Sequence, residues 1–277
     1  MLVKNAKDIL MKAKSGNFVI PSFNFIDLDS ARVFCRTAEK HNFPLILAFA
    51  EVHKNLIALE EAALVGKFLA EECKAPVILH LDHGTETEYC VRAMELGFTS
   101  VMIDASMNDF EGNVRTTREV VEAARAYGVQ VEAEIGHVGS NVTESDSSLY
   151  TEPEEAARFV SESGCDSLAV SIGTSHGVYK TGTPKLNFDV LHGIARTIPD
   201  TPLVLHGGSG SGDDNLARCS REGITKINIC TDCYVAALKA VKDPALTDYF
   251  DAKAASDKAV GEVAEHYYKV FGTKPID

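Results

Sequence analysis

Apolar positions along the chain gather into short runs rich in Val, Ile and Leu, and these recur at a spacing that leaves room for one helix between each pair. A nearly unbroken apolar run reads as a strand buried on both faces, the arrangement of a parallel sheet covered by helices. Eight such runs occur: FVIPSFN (18–24), PLILAFA (44–50), PVILHLD (76–82), SVMID (100–104), QVEAEI (130–135), SLAVSI (167–172), PLVLHG (202–207) and KINI (226–229). Between them, Leu28 to Lys40, Leu56 to Glu72, Glu111 to Tyr127 and Glu154 to Ser163 place apolar residues three and four apart, which predicts amphipathic helices. Several helical stretches stop at glycine, in ELGF, AYGV, ESGC and REGI, just before the next apolar run.

Strand and helix alternate with no Pro-rich linker or low-complexity segment. The pattern predicts a (β/α)8 TIM barrel as a single domain over residues 1–277, ahead of an open doubly wound sheet. No GxGxxG follows the first strand, which weakens a dinucleotide reading. The opening MLVKNAKDILMKAKSG predicts a short amphipathic helix, and the stretch from Pro244 to Phe271 an extra C-terminal helical segment closing the barrel.

Active sites of such barrels form where strands run out at their C-terminal ends. Here those ends carry Asn24, Asp82 and His83, Asp104, Glu134, His206 and Asn228, with His176 just beyond the sixth run. Any one of the nine histidines could be a satisfied core or surface residue. Three at the same end of one barrel, His83, His176 and His206, make the donor set of a catalytic zinc with an open coordination position. His41, His53, His192 and His266 fall on helices or adjoining loops, where exposure is expected, and His137 follows the fifth run in a loop. By strand alternation His80 points the same way as Asp82. The turn HGGSG offers Gly207, Gly208 and Ser209, whose bare amides suit a phosphate.

Charge narrows the partners. A formal charge of −13, with no basic cluster, argues against nucleic acid. No apolar run reaches the length of a membrane span, and the N-terminus lacks the apolar core of a signal peptide. Seven cysteines without a disulfide-like framework suit a reducing compartment, so a cytoplasmic enzyme is expected. Cys230 and Cys233 form a lone CxxC that reads as structural.

The segments HLDHG (80–84), MIDAS (102–106), EAEIGHVG (132–139), SHGVYK (175–180), LHGGSG (205–210) and KINICTD (226–232) together resemble the class II aldolases, which include the fructose-bisphosphate and tagatose-bisphosphate aldolases. The resemblance runs from about Phe18 to Asp232 in unchanged order. It implies a zinc-dependent lyase that reversibly cleaves a phosphorylated ketose to dihydroxyacetone phosphate and an aldehyde, built as a homodimer or homotetramer. Matched residue by residue, it makes His83, His176 and His206 the zinc ligands and Asp82 the acid/base on the hydroxyl beside the scissile carbon. Retro-aldol chemistry needs such a base, and an electrophile at the ketone, which zinc supplies without a Schiff base. The resemblance adds Gly177, Lys180, Asn228 and Thr231 to phosphate capture and a monovalent cation, sodium or potassium, held by nearby carbonyls. Asn24 joins them as a substrate contact, and Asp104 and Glu134, ahead of Ser106 and Glu132, orient ligands or offer an alternative metal position.

Three departures bear on the substrate. After the fifth strand the family's GGxED-type loop, whose glutamate moves the carbon proton, is replaced by GSNVTESDSSLYTEP (139–153), making Glu144 the nearest base, with Asp146 behind it. Ala50 stands where the fructose-bisphosphate enzymes carry a serine, and the tail KVFGTKPID has no arginine for a second phosphate. These point to a ketose with one phosphate, rather than to a fructose-1,6- or tagatose-1,6-bisphosphate aldolase proper. Two rivals use the same barrel. A zinc hydrolase would open with HxH where this first strand ends SFNF, and a sugar-phosphate-binding protein would not need three histidines and Asp82. A lysine Schiff-base aldolase finds no lysine on the sixth strand, and Lys226 on the eighth reads as an ordinary ion-pair partner.

Overall fold

The computed structural model describes residues 1–136, 138, 150–179 and 182–276. All eight apolar runs become strands: β1 (Ile20–Asn24), β2 (Leu45–Ala50), β3 (Val77–Gly84), β4 (Ser100–Ile103), β5 (Gln130–Ile135), β6 (Ser167–Val170), β7 (Leu203–Leu205) and β8 (Ile224–Ile229). They form a closed parallel barrel in sequence order, sealed by β8 against β1 with Ile20 opposite Lys226. The sixth strand stops two residues earlier than its apolar run, because the Ser171 amide turns to the Thr151 hydroxyl at 2.9 Å instead of continuing the ladder.

The outer layer consists of α2 (Leu28–His41), α3 (Leu59–Glu72), α4 (Thr87–Leu96), α5 (Phe110–Tyr127), α6 (Pro153–Ser163), α7 (Phe188–Thr197), α8 (Asp213–Arg221) and α9 (Thr231–Ala240). Asp27 opens α2 with a capping box, its carboxylate accepting from the Ser30 amide at 2.7 Å. Gly97, Gly128 and Gly164 close α4, α5 and α6 in the left-handed conformation, where a side chain would be strained. Helix α3 begins three residues later than its periodicity suggests, since Glu51–His53 forms a separate 3-10 turn and Glu61 caps the Ala58 amide at 2.9 Å.

Two apolar bodies hold the molecule. The larger lies between strands and outer helices, with Phe23 stacked on Phe34 at 4.9 Å between ring centres. The smaller fills the bottom of the barrel, where α1 (Ala6–Gly16) presses Ala6, Leu10 and Ala13 onto the inward-facing Ile20, Ile46 and Ile78. The C-terminal helical segment expected of the tail is present, and only its place differs. Helix α10 (Tyr249–Val270) lies outside, packed on α2, α8 and α9, and the N-terminal helix is what plugs the barrel. The tail's own tie is at its end, where the Phe271 carbonyl accepts from Val19 and Ser220. Because Leu10 is 2% exposed at the centre of the plug, Leu10→Ala should cost about 2–5 kcal/mol. Denaturant unfolding followed by circular dichroism checks this, and a loss below about 1 kcal/mol would show that the plug collapses onto the gap.

Candidate active site

The barrel mouth opens into a cavity of about 390 Å³, the size of a small-molecule site. Among its lining residues are Asn24, Asp82, His83, Asp104, His176, Gly177, Gly207, Ser209, Asn228 and Thr231. In a regular strand the adjacent residues Asp82 and His83 would face opposite sides of the sheet. Here His83 adopts a left-handed backbone, φ +51°, and the register between β3 and β4 shifts between Leu81 and Gly84. Both side chains consequently face the cavity. Such a backbone costs a non-glycine residue roughly 1–2 kcal/mol. It is held by the Asp104 amide on the Gly84 carbonyl at 2.8 Å and by the Asp104 carboxylate on His83 Nδ1 at 2.8 Å.

His83, His176 and His206 bring ring nitrogens within 4.8 Å of one another. Each ring has one nitrogen tied to an oxygen that only accepts. His83 Nδ1 meets Asp104 at 2.8 Å, His176 Nδ1 the Val138 carbonyl at 3.0 Å, and His206 Nε2 the Glu132 carboxylate at 3.0 Å. The N–H of each neutral ring is thereby fixed outward, leaving lone pairs on His83 Nε2, His176 Nε2 and His206 Nδ1. Two of these, on His83 and His206, stand 2.8 Å apart. Facing lone pairs repel unless a positive charge lies between them; a proton on His83 Nε2 donated to His206 Nδ1 is one such charge, and the three converging ring nitrogens fit a divalent cation as another. The surroundings favour positive charge: burial lowers the His83 pKa, but the Asp82 and Asp104 carboxylates outweigh it and raise it to about 9. Burial together with the neighbouring His206 and His83 drops His176 to about 4, keeping it in its ligand form.

Beneath the triad runs a buried polar network. Lys226 Nζ reaches both Glu132 oxygens, at 2.7 and 2.8 Å, and His80 Nε2 at 3.0 Å. His80 Nδ1 meets the Ser100 hydroxyl at 2.7 Å, and Ser100 and Ser167 both bond Gln130. Lys226 is thus the ion-pair partner expected of it. Glu134 uses Oε1 to accept from the Val138 amide at 3.0 Å, while Oε2 is buried without a partner among the described residues. Burial and the Asp104 charge push its carboxyl up to about 8. His83, Asp104 and Glu134 also bring ligand atoms within 4.8 Å of each other, which fits the alternative metal position.

Asp82 is gripped from both sides. Asn24 Nδ2 donates to one oxygen at 2.7 Å and Asn228 Nδ2 to the other at 2.8 Å. Burial raises the carboxyl, but His83, His206 and Lys226 more than offset it and hold it below the usual carboxylate range. The group is ionised and lies 4.0 Å from His83 Nε2.

On the opposite rim the loops after β6, β7 and β8 meet. A Cβ on Gly207 would lie 2.4 Å from the Ser175 carbonyl oxygen, so only glycine lets these loops touch. Gly208, expected to donate to phosphate, does something else: its amide bonds the Asn228 carbonyl at 3.1 Å, and a Cβ there would meet Ile227 at 2.5 Å. Its place in HGGSG reflects close packing. The Ser209 hydroxyl accepts from the Cys230 and Asp232 amides at 3.2 and 3.3 Å, fastening the start of α9 to this turn. Tyr179, which sequence reasoning passed over, accepts from the Ser175 amide at 2.8 Å and bonds Gly207 and Ser211. His53 was expected on the surface and instead lines the cavity. His41, His192 and His266 pair on the periphery with Glu265, Glu222 and Asp213. Glu144, Asp146, His137 and Lys180 lie outside the described residues.

Comparison with known proteins agrees with this geometry. The family model described as fructose-bisphosphate aldolase class-II matches residues 4–275. The chain is 38% identical over 264 residues to the YdjI protein of Escherichia coli K12, covering 94% of each, and 38% identical over 248 residues to a fructose-bisphosphate aldolase of Geobacillus stearothermophilus, covering 88% and 86%. The crystal structure of the YdjI aldolase superimposes with a TM-score of 0.90 at 36% identity over 99% of this chain and 98% of that one. A fold, a trio of imidazoles beside an ionised aspartate, and a whole-length match converge: this chain belongs to the class II fructose-bisphosphate aldolase family of metal-dependent carbon–carbon lyases.

Proposed function

We propose that the protein is a zinc-dependent aldolase, one domain over the whole chain, that cleaves a ketose bearing a single phosphate to dihydroxyacetone phosphate and an aldehyde. The observation that carries this reading is the set of three imidazoles, each with its outer nitrogen pinned to an oxygen and its inner nitrogen turned toward the others, beside the Asp82 carboxylate. Zinc held by His83, His176 and His206 supplies an electrophile for the substrate's ketone oxygen.

The chain's own groups do the rest. Asp82, kept ionised and aimed by Asn24 and Asn228, takes the proton of the hydroxyl beside the scissile bond. Breaking that bond frees the aldehyde, and the three-carbon fragment gains a proton at its former bond carbon, the role we give to Glu144, with Asp146 as the alternative. Phosphate is received by Gly177, Gly207, Ser209 and the amino end of α9 at Thr231, and the resemblance gives Lys180 the same task. A sodium or potassium ion held by carbonyls of these turns belongs to the same reading. No helix among the described residues is long and apolar enough to cross a membrane, and the seven cysteines are free, in keeping with a cytoplasmic enzyme. The exposed Val235, Leu238, Tyr249 and Phe250 on α9 and α10 support assembly as a homodimer or homotetramer.

Chelation should abolish cleavage and added zinc should restore it, with about one ion bound per chain. His206→Ala should lose both ion and activity; full activity in a demetallated His206→Ala protein would overturn the metal role. Asp82→Ala should keep the ion, measured by elemental analysis, yet lose cleavage by about 10³-fold. Normal turnover in that variant would move the proton transfer to another group.

The reading of a single phosphate follows from the wall away from the phosphate turns, where Ala50 and Val52 stand and no Arg or Lys appears among the described lining residues. A second phosphate would enter a protein of net charge −13 without a bidentate clamp. Comparing kcat/KM for monophosphorylated ketoses and fructose 1,6-bisphosphate should favour the former. A preference for the bisphosphate above about tenfold, roughly 1.4 kcal/mol, would reverse the assignment.

A further inference from the structure

The turn after β2 is built to be rigid. The buried carboxylate of Glu51 accepts from the Thr85 amide at 2.9 Å and the Thr85 hydroxyl at 3.2 Å, which ties the turn to the end of β3. Its other oxygen accepts from Lys54 Nζ at 2.9 Å, and the Lys54 amide closes the turn on the Glu51 carbonyl at 3.0 Å. His53 is therefore fixed on the cavity wall beside Ala50 and Val52, and of these three it alone has a hydrogen-bonding side chain.

Its imidazole differs from those of the triad. Each triad ring has one nitrogen tied to a protein oxygen, whereas His53 Nδ1 is buried with no partner among the described residues. Nδ1 is enclosed, so the nitrogen left for a ligand is Nε2, which stays accessible on a ring lining the cavity and has no hydrogen bond to any described residue. Burial holds the ring below the usual histidine range, with the Asp82 charge acting the other way, so at neutral pH it donates at one nitrogen and accepts at the other.

Location decides what it meets. Ala50 is the register partner of Asp82, so the turn it begins lies on Asp82's side of the mouth, while the phosphate turns follow β6, β7 and β8. A ketose anchored at those turns, with its reacting hydroxyl at Asp82, extends its remaining carbons toward β2. We propose that His53 hydrogen-bonds a hydroxyl on the aldehyde-derived half of the ketose and thereby selects hydroxylated aldehydes over plain ones. The assignment rests on the aldolase reading above.

The test condenses dihydroxyacetone phosphate with glyceraldehyde and with propanal, which have equal carbon number and differ in hydroxyl groups. His53→Ala should lower the ratio of kcat/KM for glyceraldehyde to that for propanal by about tenfold, the scale of one neutral hydrogen bond. His53→Gln and His53→Asn, each keeping a donor and an acceptor, should recover part of that ratio in at least one case. Thermal midpoints confirm that the variants fold. An unchanged ratio in His53→Ala, or an equal loss with both aldehydes, overturns the role of His53. A wild-type chain that condenses neither aldehyde would instead overturn the aldolase reading itself.

Discussion

Everything at the barrel mouth depends on a charge that cannot be left alone. Glu132 is buried in the barrel interior, where a solitary carboxylate would be prohibitively unfavourable. Lys226 neutralises it through both oxygens, and the same carboxylate then fixes the tautomer of His206. Removing either partner would strand a charge and release the ring whose orientation the site requires. The ion pair is therefore best understood as a device for orientation, since a buried pair adds little to stability compared with apolar side chains of the same volume.

Above that layer the site divides its labour by strand. Asp82 and His83, consecutive in the chain, serve two different tasks because the local break in β3 lets both face inward. Asn24 and Asn228 approach the aspartate from β1 and β8, the two strands that seal the barrel. Closure of the barrel and alignment of the carboxylate are thus one event. The left-handed conformation of His83 is a cost that the Asp104 contacts offset.

Much of this was legible in the sequence. The strands showed themselves as unbroken apolar runs, a direct result of burial on both faces, and three histidines at matching ends pointed to one mouth. What escaped notice depends on distant partners. Lys226 was read as an ion-pair partner, but Glu132 is 94 residues away and nothing local joins the two. His53 sits on a short turn whose position is set by Glu51 reaching Thr85, 34 residues on, so no periodicity could have turned it toward the cavity. Gly208 was misjudged for a related reason: a glycine needed for packing and one needed to bare an amide are identical in a string of letters. The N-terminal helix was foreseen as amphipathic, but the face it covers belongs to three different strands.

The pairing of Glu132 with Lys226 also bears on how the chain reaches its native state. Lys226 sits on the last strand of the barrel, so an incomplete barrel of seven strands would leave the Glu132 carboxylate of the interior polar network without its cation. Such a partial structure is penalised where a purely aliphatic interior would tolerate it, and insertion of β8 removes the penalty at one stroke. Pairings such as Ile20 with Lys226, far apart in sequence, form slowly. The ion pair makes their absence costly, sharpening the folding transition and leaving little room for stable half-built barrels.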